Sequence, residues 1–157
     1  MVVSRSTLAS ALLTGTVASI ATTGALMLLA KQQGKRVHQP TNATSHWLHG
    51  EKAGAVRDAD ASHTALGYAT HHASAVFWAL LFESWLADRP RRSPTQMLAD
   101  AAGMATIAAA VDYAIVPKRL TPGWEAVLPK RSIALTFGVL ALSLAGGALI
   151  NQELRRR

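Results

Sequence analysis

Imidazole and carboxylate are the side chains of this chain that could hold a metal or pass a proton, and both are unevenly placed. All six histidines fall between His38 and His72. His46 and His49 stand three residues apart, a spacing that puts both rings on one face of a helix. His71 and His72 are adjacent, and Glu83, Asp100 and Asp112 lie inside otherwise apolar runs. Imidazole suits zinc, copper, iron or nickel, and a carboxylate can complete such a set. Two histidines on facing helices could also ligate a haem iron. These residues do not fix a cofactor; a transition metal and haem are the two their chemistry allows. With no cysteine in the chain, thiolate sites, disulfides, cysteine nucleophiles and covalent haem attachment are excluded.

Catalytic signatures are missing. The sequence holds no G-x-S-x-G elbow, no Walker glycine loop, no dinucleotide fingerprint and no H-E-x-x-H. No reaction is assigned, and the chemistry points to binding rather than to an enzyme.

The elements that must position these groups are long and apolar. Leu8 to Ala30 and Ser132 to Ile150 carry no charge. Thr64 to Ala87 and Gln96 to Val116 are as long but carry a few ionisable groups. Crossing a bilayer takes about 20 apolar residues, and only helices or closed barrels satisfy backbone groups in lipid. The pattern predicts an all-α, polytopic membrane protein, a single domain over residues 1–157. Its four transmembrane helices would cover about 8–30, 64–87, 96–116 and 132–150. A soluble bundle would need a polar face on every helix, and the first and last runs have none. The first run exceeds a signal peptide's apolar stretch and lacks a small-residue cleavage site, so it reads as a retained helix.

The polar loop over residues 31–62 holds a turn at Pro40-Thr41-Asn42 and a short segment from Ser45 to Gly50, expected to lie on the membrane surface or dip into the bundle. Asn42 or Thr44 could cap that segment, and Asn42-Ala43-Thr44 matches a glycosylation sequon. Pro90 and Pro117 end helices, and Pro94 starts one. Alanine rows in the third helix and glycines in the fourth allow close helix approach, within one bundle or between copies.

The net charge of +7 suits basic helix flanks near anionic headgroups. No basic-aromatic nucleic-acid pattern accompanies it. One side of a four-helix topology carries seven arginines: Arg5, Arg89, Arg91, Arg92, Arg155, Arg156 and Arg157. The other carries nine basic residues spread over longer connections. Short connections weigh most in setting orientation, so both termini are placed in the cytoplasm of a bacterial inner membrane. Trp85 would mark the inner boundary, and Trp47 and Trp124 the outer one.

That topology sorts the ionisable residues into two layers, with His71, His72 and Asp112 outward and the intramembrane acids Glu83 and Asp100 inward. At 100° per residue, His72 and Glu83 differ by about 20° and share a face about 16 Å apart. His71 lies about 100° away on a stripe with Trp78, Phe82 and Trp85. The leading expectation is a small inner-membrane protein with an outward-facing histidine/carboxylate cluster. His46, His49, His71, His72 and Asp112 would be its ligands, supported by Tyr113, His63 and Glu125. Its partners would be the lipid bilayer and a second copy or a larger membrane complex. Two other readings stand beside it: an accessory or scaffold subunit with no ligand, and a proton-coupled transporter using Glu83 and Asp100.

Overall fold

The computed structural model describes residues 4–156, which leaves Arg157 outside the described residues. Every element within them is helical. Helix α1 spans Arg5–Gln32, α2 Gln39–Thr44, α3 His46–His49, α4 Leu66–Ala87, α5 Pro94–Ala110 and α6 Lys130–Leu154. Two π-helical turns, Ala61–Ala65 and Val111–Ile115, lead into α4 and out of α5. The long helices start at local signals. Ser4 caps α1 by accepting from the Thr7 N–H, and Ser93 and Gln96 form a reciprocal capping box ahead of α5, with Pro94 in its first turn. At Pro117 the ring cannot continue the helix, and Val116 before it is extended.

Three helices are long and apolar enough to cross a membrane: Arg5–Gln32, Pro94–Ile115 and Lys130–Leu154. Helix α4 has 22 residues but carries His71, His72 and Glu83, and it is not among the three. Helix α1 is central, packed along both α4 and α6, while α5 lies on α6.

The bundle is turned inside out relative to a water-soluble one. On α1 the buried stripe is Thr7, Ser10, Thr14, Ser19 and Thr22, whereas Leu12, Ile20 and Leu28 are more than half exposed. On α6, Ser132, Thr136, Ser143 and Asn151 are buried while Leu135 and Leu142 are exposed. The first and last runs thus do have a polar side, of hydroxyls rather than charges, and it points inward. Large apolar side chains gathered on the outside of a bundle mark contact with another apolar phase. Several of the inward hydroxyls bond back to their own helix, as Thr22 does to the Ala18 carbonyl at 2.7 Å and Thr136 to that of Ser132 at 3.0 Å. They can therefore be buried without an unpaired donor.

Two glycines set the helix spacing. A Cβ on Gly15 would stand 2.6 Å from Val76 Cα on α4, and one on Gly147 would stand 2.8 Å from Thr14 Cα on α1. Backbones that approach this closely tolerate only hydrogen at the crossing.

The loop is more ordered and more buried than its polarity suggests. All six residues of α2 are buried, packed against α4 and the loop that follows. The cap position of α2 is His38, and neither Asn42 nor Thr44 caps a helix. Asn42 is fully buried, its amide donating to the Val56 and Asp58 carbonyls at 2.9 and 3.0 Å. The sequon reading fails for that reason, since the amide is engaged and inaccessible. Trp124 is only 6% exposed and donates to Thr44 Oγ1 at 3.2 Å, so it is a core residue and not a boundary anchor.

Gly15→Val should lower stability by about 1–3 kcal/mol through overpacking. Gly138→Ala, where an added Cβ meets nothing within 4 Å, should be neutral or raise it by up to about 1 kcal/mol. Thermal unfolding in detergent micelles checks both, and a Gly15→Val protein melting with the wild type would disprove the crossing.

Candidate functional site

The polar groups gather at the two ends of the bundle. At the arginine end, three long helices meet on one carboxylate. Glu83, 2% exposed on α4, accepts from Thr14 Oγ1 of α1 at 2.7 Å and from Asn151 Nδ2 of α6 at 2.9 Å. The same amide nitrogen lies 3.0 Å from the Ser10 carbonyl and 2.9 Å from Thr14 Oγ1. Arg155 reaches in from the surface, its guanidinium 3.5 Å from the second Glu83 oxygen and 2.8 Å from Ser10 Oγ. Beside this cluster Arg92 pairs with Asp100 at 2.8 Å, and Arg91 with Glu153. Glu83 and Asp100, placed in one layer by the sequence, thus each close a separate local pair. Arg89 stacks on Trp85 with its guanidinium carbon 3.9 Å from the ring centre.

The histidine end is built from shorter elements. His71 lies on α4 beside α1, its Nε2 2.8 Å from Thr22 Oγ1, with Trp124 edge-on at 5.6 Å between ring centres. Thr22 spends its one hydroxyl proton on the Ala18 carbonyl. That arrangement fits Thr22 accepting from His71 Nε2–H, the tautomer in which Nδ1 is the lone-pair nitrogen. Of the adjacent histidines, His71 is the one that bonds into the bundle, while His72 stacks on Tyr68 at 6.1 Å. A cavity of about 220 Å³ is lined by His71, Asp112, Thr70, Ser74, Trp47 and Arg119, among others. Asp112 reaches it from the π turn at the end of α5, where the Val116 N–H bonds the Val111 carbonyl at 3.0 Å. Turns of this kind widen a helix by one residue and recur at functional sites.

The other expected ligands are placed elsewhere. Both ring nitrogens of His46 face carbonyl oxygens, Nδ1 that of Ala43 at 3.0 Å and Nε2 that of Lys118 at 3.1 Å. Neither is directed at a shared site. His49 Nε2 bonds the Ser62 carbonyl at 3.1 Å, and its ring lies 4.4 Å from that of His63. His63 Nδ1 in turn sits 3.0 Å from Asp60 Oδ2. Tyr113 donates to Glu125 at 3.3 Å, beside the cavity rather than in it. Among the described residues no three His, Asp or Glu side chains lie close enough to hold one metal ion together. The structure brings together His71 and Asp112 and leaves His46, His49 and His72 apart from them.

Sequence reasoning passed over the hydroxyl and amide partners: Ser10, Thr14, Thr22 and Asn151. A signal was available in Thr7, Ser10, Thr14, Ser19 and Thr22, which recur every three to five residues along an otherwise apolar helix.

Compared with known proteins, the chain matches no family model, no curated protein sequence and no solved structure.

Asn151→Ala withdraws donors from Glu83, Thr14 and the Ser10 carbonyl at once, and should lower stability by about 1–3 kcal/mol in thermal unfolding. A second expectation concerns the loop. The His63 backbone N–H donates to Asp60 Oδ1 at 2.6 Å, and this bond holds the Asp60 carboxyl below its ordinary 3.8. A carboxyl lowered on folding supports its turn above the ordinary value and loses that support as pH falls through the lowered one. The His63 amide resonance should therefore titrate with a midpoint under 3.8, and a midpoint at or above that value would refute the cap.

Proposed function

We propose that the chain is a small multi-pass membrane protein whose histidine-end cavity binds a divalent transition-metal ion on His71 Nδ1 and Asp112. The observation that carries this reading is the Thr22–His71 bond. A ligating histidine characteristically anchors its other ring N–H, which sets the tautomer and aims the lone pair. Asp112 shares the cavity, and imidazole with carboxylate suits zinc, nickel or copper(II). Two protein ligands plus water make an exchangeable site rather than a structural one. At about 220 Å³ the cavity lies below the roughly 300–1,000 Å³ of organic-ligand pockets, which favours an ion over haem.

In this reading α4 is the fourth span, its Glu83 paired with Arg155 and its His71 bonded to Thr22. The arginine end faces the cytoplasm of a bacterial inner membrane, because the short Arg89–Arg92 turn and the chain's arginine-rich end carry the most weight. The histidine end then opens outward, where an incoming ion would meet it first.

A second reading, a ligand-free scaffold subunit of a larger complex or homo-oligomer, is favoured by the arginine end. There Glu83, Asp100 and Glu153 are all paired with groups of the same chain.

Calorimetric titration of metal-stripped, detergent-solubilised protein with zinc separates the two. The expected result is one ion per chain, lost in His71→Ala and Asp112→Asn but kept in a His46→Ala/His49→Ala double variant. Thr22→Val, which frees the ring, should weaken binding about 10- to 100-fold. A folded wild type that takes up no zinc, or a His71→Ala protein that binds it normally, rules the site out.

A further inference from the structure

A cavity larger than the histidine-end one lies away from the histidines. It is an open groove of about 660 Å³ between α5 and α6. Its walls are small or apolar: Ala102 and Ala109 of α5, Gly138 and Ala141 of α6, with Phe137 as the floor. Thr106 also lines it, but its hydroxyl is spent on the Ala102 carbonyl at 2.8 Å, so it presents a methyl group's worth of surface. From Lys130 to Ala141 the groove follows 11 residues of α6, about 16 Å at 1.5 Å per residue. Half of a typical hydrocarbon core is about 15 Å. The groove is therefore one leaflet deep.

Its mouth is charged with both signs. Glu125 and Lys130 both line it, and among the described residues neither enters an ion pair within 4.0 Å. The Glu125 carboxylate is held in place, since it accepts from Tyr113 and from Thr121. A fixed anion and a flexible cation at the polar end of a leaflet-deep apolar groove complement one kind of amphiphile, a lipid whose headgroup carries a phosphate and an N–H-bearing ammonium.

We propose that the α5/α6 groove binds an aminophospholipid, with one acyl chain along Ala102–Ala109 and Gly138–Ala141, its phosphate at Lys130 and its ammonium at Glu125. The inference rests on the membrane placement proposed above and is independent of the metal site. The ammonium is the discriminating group. A primary ammonium can donate to the Glu125 carboxylate, whereas a trimethylated one has no N–H to donate.

Gly138 supplies a clean test. A Cβ there meets nothing within 4 Å, so a leucine at this position would enter the groove from an unobstructed Cβ. Detergent-purified full-length protein is incubated with phosphatidylethanolamine, phosphatidylcholine or phosphatidylglycerol of identical acyl chains, and retained lipid is read by native mass spectrometry. The wild type should retain phosphatidylethanolamine about tenfold better than phosphatidylcholine, the worth of one charge-assisted hydrogen bond. Glu125→Gln should erase that preference, and Lys130→Gln should weaken both lipids. Gly138→Leu should lose retention while melting at or above the wild-type temperature. Equal retention of the ethanolamine and choline lipids by the wild type, or undiminished retention by Gly138→Leu, would overturn the proposal. So would a Gly138→Leu protein that keeps its lipid but loses a dimer, because the groove would then be a contact between copies. An alkaline carbonate wash of the same membranes tests the placement separately: a protein released by it has no leaflet to draw on, and both readings fall.

Discussion

One turn of α1 holds the long helices together. Thr14 donates its hydroxyl to Glu83 of α4 and accepts from Asn151 of α6. The backbone of the same residue is the surface on which Gly147 rests, and its neighbour Gly15 is where α4 crosses. Two close approaches and a buried carboxylate thus converge within two consecutive residues. The geometry is mutually dependent. Without glycine at the crossings, the helices could not come close enough for three short polar side chains to reach one another. Without those bonds, a carboxylate at this depth would be an unpaired buried charge, at a cost of several kcal/mol.

The rest of the bundle follows from what lies outside it. With leucines and isoleucines turned outward, little hydrophobic gain is left to drive helix against helix, so association falls to close packing and polar contacts. This fits an interior rich in serine, threonine, alanine and glycine, with bulkier members such as Phe82, Trp78, Trp124, Leu26, Met97 and Leu144 among them. It also explains the contrast between the ends. At the arginine end the acids are paired with neighbouring bases around a cavity of about 210 Å³. At the histidine end, short helices and π turns replace regular ones, and irregular backbone leaves a cavity with Asp112 and His71 on its walls.

Much of this was legible in the residues. The four long helices lie within a few residues of where unbroken apolar runs and proline punctuation put them, because such runs have few alternatives. Three of them meet the length and composition needed to cross a membrane. Pairing Asp112 with the depth of His71 also came from counting residues along two antiparallel helices, and both do line one cavity. The loop was far less readable. Spacing places His46 and His49 on one face of a helix, but cannot show that α2 buries itself and draws His46 onto two carbonyls. Missing the hydroxyls also hid the buried stripe of α1, whose members Thr7, Ser10, Thr14 and Thr22 bond within the bundle and so behave as interior residues.

That stripe ties the two ends of the molecule to one rod. Thr14 and Thr22 are eight residues apart on α1, about 12 Å along a continuous helix. One is bonded to Glu83 and the other to His71, both on α4. The two helices are therefore riveted at two heights with the Gly15–Val76 crossing between them. A turn of α1 about its own axis cannot release one rivet and spare the other. The cavity wall at one end and the buried carboxylate at the other are thus fixed by the same pair of helices.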